Sequence, residues 1–80
     1  MSRAEILEKL GEIYRHHAKG KAKSISYEDD VAQMGFDSLE ISEIIMSVEE
    51  EFDCVIRMDD LLKLKTLNDY ADYIMKETES

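Results

Sequence analysis

Ser38 is the residue in this 80-residue chain whose setting most favours chemistry. It follows Gly35-Phe36-Asp37 and opens a helical stretch, which gives a Gly-x-Asp-Ser-Leu motif. A serine at the first position of a helix sits among unpaired backbone N–H groups at the positive end of the helix dipole. An anionic phosphodiester on its hydroxyl is stabilised there. Asp37 is a strong N-cap and leaves a carboxylate beside that hydroxyl. Gly35 lets the chain turn sharply into the helix. The plainer reading is that Asp37 and Ser38 only cap. A nucleophilic serine of the hydrolase kind is disfavoured: no Gly-x-Ser-x-Gly elbow is present, and His16 and His17 lie in the other half of the chain.

No metal-ligand set emerges from one cysteine, Cys54, and two adjacent histidines. Cys54 reads as a small residue at an element boundary. A calcium loop registered to place Gly35 sixth has Ala32, Met34 and Ile41 where oxygen ligands are required, so that reading fails. The chain is expected to form a single domain over residues 1–80, with 44% hydrophobic residues, no Pro and three Gly. No apolar run approaches the roughly 20 residues that span a bilayer, and no signal-peptide pattern follows Met1. A cytoplasmic monomer is the expectation. Residues 1–27 carry six Lys/Arg against three Glu, a net +3, and residues 28–80 carry four against sixteen Asp/Glu, a net −12. Such acidity repels nucleic acid and anionic membranes and steers the chain toward partners with basic patches.

Four helices must position Ser38. The first is expected from Arg3 to Ala18, with Ser2 and Glu5 as a capping box and Lys19-Gly20 as its stop. A loop over 20–36 follows, which Ile25, Tyr27, Val31, Met34 and Phe36 pin to the core. The second helix runs from Ser38 to about Phe52, with Asp37 and Glu40 as its capping box. A short third is expected over 59–64, and a fourth from Leu67 to about Lys76 behind Thr66. The fold class is all-α: a small four-helix bundle of three longer helices and one short one.

The second helix has two apolar faces. With Leu39 at zero and about 100° per residue, Ile41, Ile44, Ile45, Val48 and Phe52 fall between about 140° and 240°, an ordinary core stripe. Leu39 and Met46 share the opposite face, among Glu43, Glu49, Glu50 and Asp53, with Glu40 toward one edge. Two apolar anchors inside a ring of carboxylates suit a docking surface for Arg- and Lys-bearing proteins.

Taken with the downstream Met46-x-x-Glu49-Glu50-Glu51-Phe52-Asp53, Ile56, Asp59-Asp60, Thr66-Leu67 and Asp72-Tyr73-Ile74, the motif resembles the acyl carrier protein family from about Val31 to Ile74. The resemblance implies that a phosphopantetheinyl transferase, with Mg²⁺, attaches 4′-phosphopantetheine to Ser38, assisted by Asp37. It implies a non-catalytic carrier of acyl thioesters, handed to ketosynthases, acyltransferases and other acyl-processing enzymes of fatty acid, specialised lipid or polyketide synthesis. Those partners would grip Leu39, Glu40, Glu43, Met46, Glu49, Glu50, Asp53 and Arg57. Ile45, Val48, Phe52, Ile56, Leu61 and Ala71 would line the acyl cavity.

The chain departs from the family pattern in four places. Arg57 stands where Pro is common and is expected to alter the loop into the third helix. Phe36 replaces a small residue, as in carriers of polyketide pathways. Tyr70 and Tyr73 are bulky for the cavity end, and Arg15, Lys19, Lys21 and Lys23 form an unusual basic cluster. Two further readings remain: a peptidyl carrier holding aminoacyl thioesters, and a helical interaction module without an arm.

Overall fold

The computed structural model describes residues 2–18 and 26–78. Four α-helices form: α1 (Arg3–Ala18), α2 (Ser38–Phe52), α3 (Met58–Leu61) and α4 (Leu67–Thr78), with a 3₁₀ turn at Val31–Gln33 between α1 and α2. Three helix starts are fixed by reciprocal side-chain caps. Glu5 N–H donates to Ser2 Oγ at 3.2 Å and Ser2 N–H to Glu5 Oε1 at 3.0 Å. Glu40 N–H donates to Asp37 Oδ1 at 2.8 Å, and Asp37 N–H to Glu40 Oε1 at 3.1 Å. Asp69 N–H donates to Thr66 Oγ1 at 3.2 Å, and Thr66 N–H to Asp69 Oδ2 at 3.1 Å. Each satisfies two donors that a helix start leaves unpaired, and each fixes its boundary within one residue.

The core lies where α1 packs on α4 and α2. Ile6, Leu10 and Tyr14 of α1 meet Ile44 and Val48 of α2 and Leu67, Tyr70, Ala71 and Ile74 of α4, all buried. Polar ties at the rim orient the helices. Arg3 Nε donates to Asp72 Oδ1 at 2.9 Å and binds Asn68 across α1–α4, while Lys9 Nζ meets Glu51 Oε1 at 3.0 Å across α1–α2. These pairs are solvent-exposed, so each contributes only about 0–1 kcal/mol.

The stretch before α2 is held by backbone as much as by side chains. Val31 N–H donates to Lys65 O at 2.8 Å, Asp30 and Thr66 form an isolated antiparallel bridge, and Asn68 N–H donates to Tyr27 O at 3.1 Å. Val31 is buried, and Met34 and Phe36 pack against the core as expected. Tyr27 does not: its side chain is exposed, and its anchoring is through its carbonyl. Ile25, the Lys19-Gly20 stop and Lys19, Lys21 and Lys23 lie outside the described residues.

The third helix is shorter and earlier than expected, Met58–Leu61 rather than 59–64. Lys63 N–H bonds Asp60 O and Leu64 N–H bonds Leu61 O, so a tighter turn ends it. Arg57 is its N-cap, at φ −75° and ψ 147°, with no side-chain cap. That φ lies inside the range proline imposes.

Candidate functional site

Ser38 is exposed at the first position of α2. Asp37 reaches it in extended backbone, φ −85° and ψ 177°, after Gly35 at φ +84°. A side chain at Gly35 would meet nothing within 4 Å, so the glycine is required by backbone conformation and not by space. The Asp37 side chain takes Glu40 N–H and its carbonyl takes Ile41 N–H at 3.0 Å. The other first-turn amides, of Ser38 and Leu39, have no intrahelical acceptor. Ser42 Oγ donates to Ser38 O at 3.0 Å and secures the first turn.

Phe36, two residues before the serine, sits edge-on to Tyr14 with centroids 5.9 Å apart, and Tyr14 is 6.2 Å from Tyr70. The aromatic at position 36 therefore ties the approach to α2 onto α1 and α4.

A groove of about 390 Å³ opens between the 3₁₀ turn, α2 and the α3–α4 segment. Its walls are Asp30, Val31, Ala32, Ile41, Leu61, Leu62, Leu64, Lys65 and Tyr70. Ile41 is three residues, nearly one helical turn, from Ser38. Of the six residues expected to line a cavity, Leu61 borders this groove. Ile45, Val48, Ile56 and Ala71 are packed into the core, as is Phe52, which borders a separate hollow of about 240 Å³ with Ile6, Asp53 and Ile74. Tyr73 does not fill the groove. Its hydroxyl donates to Asp60 Oδ2 at 3.0 Å and links α4 to α3.

The residues expected to form a docking face separate into two groups. Leu39 and Met46 are 68% and 59% exposed, on the face opposite the buried stripe. Glu43, Glu50, Asp53 and Arg57 are exposed, and Glu40 is half-buried within its capping box. His17 Nδ1 approaches Glu43 Oε2 at 3.9 Å across α1–α2. Glu49 is half-buried and holds the chain that leaves α2: its carbonyl accepts from Asp53 and Cys54 N–H, and its Oε2 accepts from Ile56 N–H at 2.9 Å. Asp53 lies beyond the helix, in left-handed backbone at φ 51° and ψ 51°. Cys54 is half-buried at that boundary. Burial, then the charges of Glu49, Glu77 and Asp53, push its thiol up.

Three exposed apolar residues were not anticipated: Val55, Met58 and Leu62, each at least 70% exposed, on the α2–α3 loop, at the start of α3 and just past its end. The adjacency of Leu61 and Leu62 at the end of so short a helix is the one available signal, since both cannot face inward. No cluster of His, Cys, Asp and Glu suited to a metal occurs among the described residues, and no helix there is long and apolar enough to cross a membrane.

An exposed serine hydroxyl at a positively polarised helix start, one turn from an apolar groove, fits a phosphate-linked arm. The family described as "Phosphopantetheine attachment site" matches residues 4–74. The chain is 48% identical over 72 residues to the acyl carrier protein of Bdellovibrio bacteriovorus, covering 90% of this chain and 83% of that one. It is 35% identical over 75 residues to the acyl carrier protein of Clostridium perfringens, covering 92% and 99%. A capped serine on a helical bundle and a family match across nearly the whole length lead to one assignment: this chain belongs to the acyl carrier protein family, whose cofactor is 4′-phosphopantetheine.

Proposed function

We propose that Ser38 bears the phosphopantetheine arm and that the chain carries acyl groups to successive enzymes of fatty acid, specialised lipid or polyketide biosynthesis. The observation that carries this reading is the exposed Ser38 hydroxyl beside the unpaired Ser38 and Leu39 amides, with the Ile41-lined groove one turn away. The arm supplies a terminal thiol that holds cargo as a thioester. The protein's part is positional. The first-turn amides and the helix dipole hold the phosphate's negative charge. Asp37 fixes the turn through Glu40 N–H, and Val31, Ile41, Leu61 and Leu64 give the cargo an apolar surface away from water. A phosphopantetheinyl transferase installs the arm and basic-patched enzymes receive the cargo. A monomer in the cytoplasm suits repeated brief encounters.

Docking uses Leu39 and Met46 as anchors, with Glu43, Glu50 and Asp53 around them and Arg57 at the far edge. Val55, Met58 and Leu62 extend the apolar surface toward α3. The end of α2 supports this assignment. Its last turn has no basic residue, although the dipole there favours cations, and it carries Glu49, Glu50 and Glu51. Such a charge pattern works against helix stability, as expected of a surface arranged for partners.

Incubation with coenzyme A, Mg²⁺ and a phosphopantetheinyl transferase should add one arm to the wild type and none to Ser38→Ala, read by intact mass. An arm on Ser38→Ala would sink the reading. Affinity for a loading enzyme should be micromolar or weaker and fall as salt is added, because rim charges act mainly on encounter. A flat salt titration would contradict the electrostatic part.

A further inference from the structure

The groove beside Ser38 stops against a large side chain. Tyr70 borders it, is 2% exposed and belongs to the core, so its bulk stands between the groove and the interior. Tyr14, also 2% exposed, packs on Tyr70 with ring centroids 6.2 Å apart, and Phe36 meets Tyr14 in turn at 5.9 Å. In so closely packed an interior Tyr70 cannot swing aside without disturbing α1 and the approach to α2. The interior itself is filled: Ile45, Val48 and Ala71 are buried in the core, and none of them borders the groove. The outer lip is open, with Leu62 79% exposed. The volume of about 390 Å³ is near the lower limit for clefts that enclose a small organic ligand. An acyl chain laid along this groove is sheltered until it meets Tyr70, and carbons beyond that point have only solvent to enter.

We propose that Tyr70 is the specificity-determining residue of the groove, its bulk limiting the sheltered cargo to short and medium-length acyl chains. This rests on the carrier role proposed above and names the class of cargo within it. Each methylene taken out of water adds to the stability of the loaded protein, whereas one left in water adds nothing. Stability plotted against chain length must then rise and break at the length where the chain end reaches Tyr70. A smaller side chain at position 70 opens space toward Tyr14 and moves the break to longer chains. A side chain with only a packing role would, when truncated, lower every loaded form alike and leave the break in place.

The test uses the full chain loaded at Ser38 from coenzyme A derivatives with butanoyl, hexanoyl, octanoyl, decanoyl, dodecanoyl and tetradecanoyl groups, each read by thermal unfolding. In the wild type Tm should climb by about 3–6 °C with each step of two carbons, since an open groove covers roughly half of each methylene, and should level off before dodecanoyl. Tyr70→Phe keeps the ring and should break at the wild-type length. Tyr70→Leu and the more drastic Tyr70→Ala should break at least one step later, whatever their overall loss of Tm. If Tyr70→Ala does not fold, Tyr70→Leu, which retains an apolar side chain, decides the matter. A wild-type Tm that rises unbroken to tetradecanoyl overturns the proposal, as does a Tm indifferent to chain length or a break that stays in place in Tyr70→Leu. Failure of every group to load on the folded wild type, seen by intact mass, would instead overturn the carrier reading and the proposal with it.

Discussion

Glu49 performs two tasks that substitution can separate. Its carboxylate accepts from Ile56 N–H at 2.9 Å, and its charge belongs to the acidic end of α2. Ile56 is 8% exposed, so its amide has little water to turn to if Glu49 is truncated. Leaving such a donor unpaired costs about 1–3 kcal/mol. Against this, removing an anion from the C-terminal turn of α2 returns about 0.3–1 kcal/mol. Glu49→Ala should therefore lose about 1–2 kcal/mol, or roughly 4–16 °C in Tm. Glu49→Gln keeps an acceptor oxygen and drops the charge, so its Tm should stay within a few degrees of wild type. The assay is thermal unfolding by circular dichroism, with hydrogen exchange at the Ile56 amide as the local readout. Exchange there should quicken in Glu49→Ala and stay slow in Glu49→Gln. Both variants lose one negative charge, so both should slow encounter with a basic partner to a similar degree. Equal stability of the two variants would refute the loop-anchoring argument. Slower encounter in one variant alone would refute the treatment of the charge as a purely electrostatic contribution.

The same loop yields two further expectations. Asp53 adopts left-handed backbone and adds an anion at the negative end of α2, so Asp53→Gly should raise stability by about 0.5–1 kcal/mol while weakening docking. An unchanged or lowered Tm would show that the Asp53 side chain contributes something beyond its backbone. Arg57→Pro suits φ −75° but removes the N–H that faces the Tyr73 hydroxyl, so it should not show the gain of about 0.4–1 kcal/mol that a stiffer unfolded chain otherwise gives. A gain of that size on chemical denaturation would show that the Arg57 N–H contributes nothing.

What could be read from residue types depended on how local the cause was. Helix starts were legible because each is written within four residues: Ser2 with Glu5, Asp37 with Glu40, Thr66 with Asp69. The exposed Leu39–Met46 face was legible because a seven-residue spacing returns to the same side of a helix. The third helix was misplaced by one to three residues because Arg57 offers no side-chain cap to mark its start. Tyr27 was expected inside because it is apolar and in a loop, yet the loop is fastened there by its carbonyl, which no residue type announces. Periodicity identified Ile45, Val48 and Phe52 as buried but could not tell a residue bordering a void from one in solid packing. Ile41, which does border the groove, sat in the same stripe. The structural role of Glu49 was hidden because it depends on where the chain goes after Cys54, seven residues from the carboxylate to the amide it holds.

The aromatic contact from Phe36 to Tyr14 and on to Tyr70 fastens the entrance of α2 to the two helices that form most of the interior. By contrast α3 fully buries none of its four residues, and its side-chain ties to the rest are the half-buried Leu61 against the core and the Tyr73–Asp60 bond. Its opening thus exposes little hydrocarbon and breaks few bonds, which places it among the least costly local motions of the fold. Under the proposed carrier role, Ser38 would be a fixed post while the α3 wall yields, and cargo would leave the groove without any shift in the point from which it hangs.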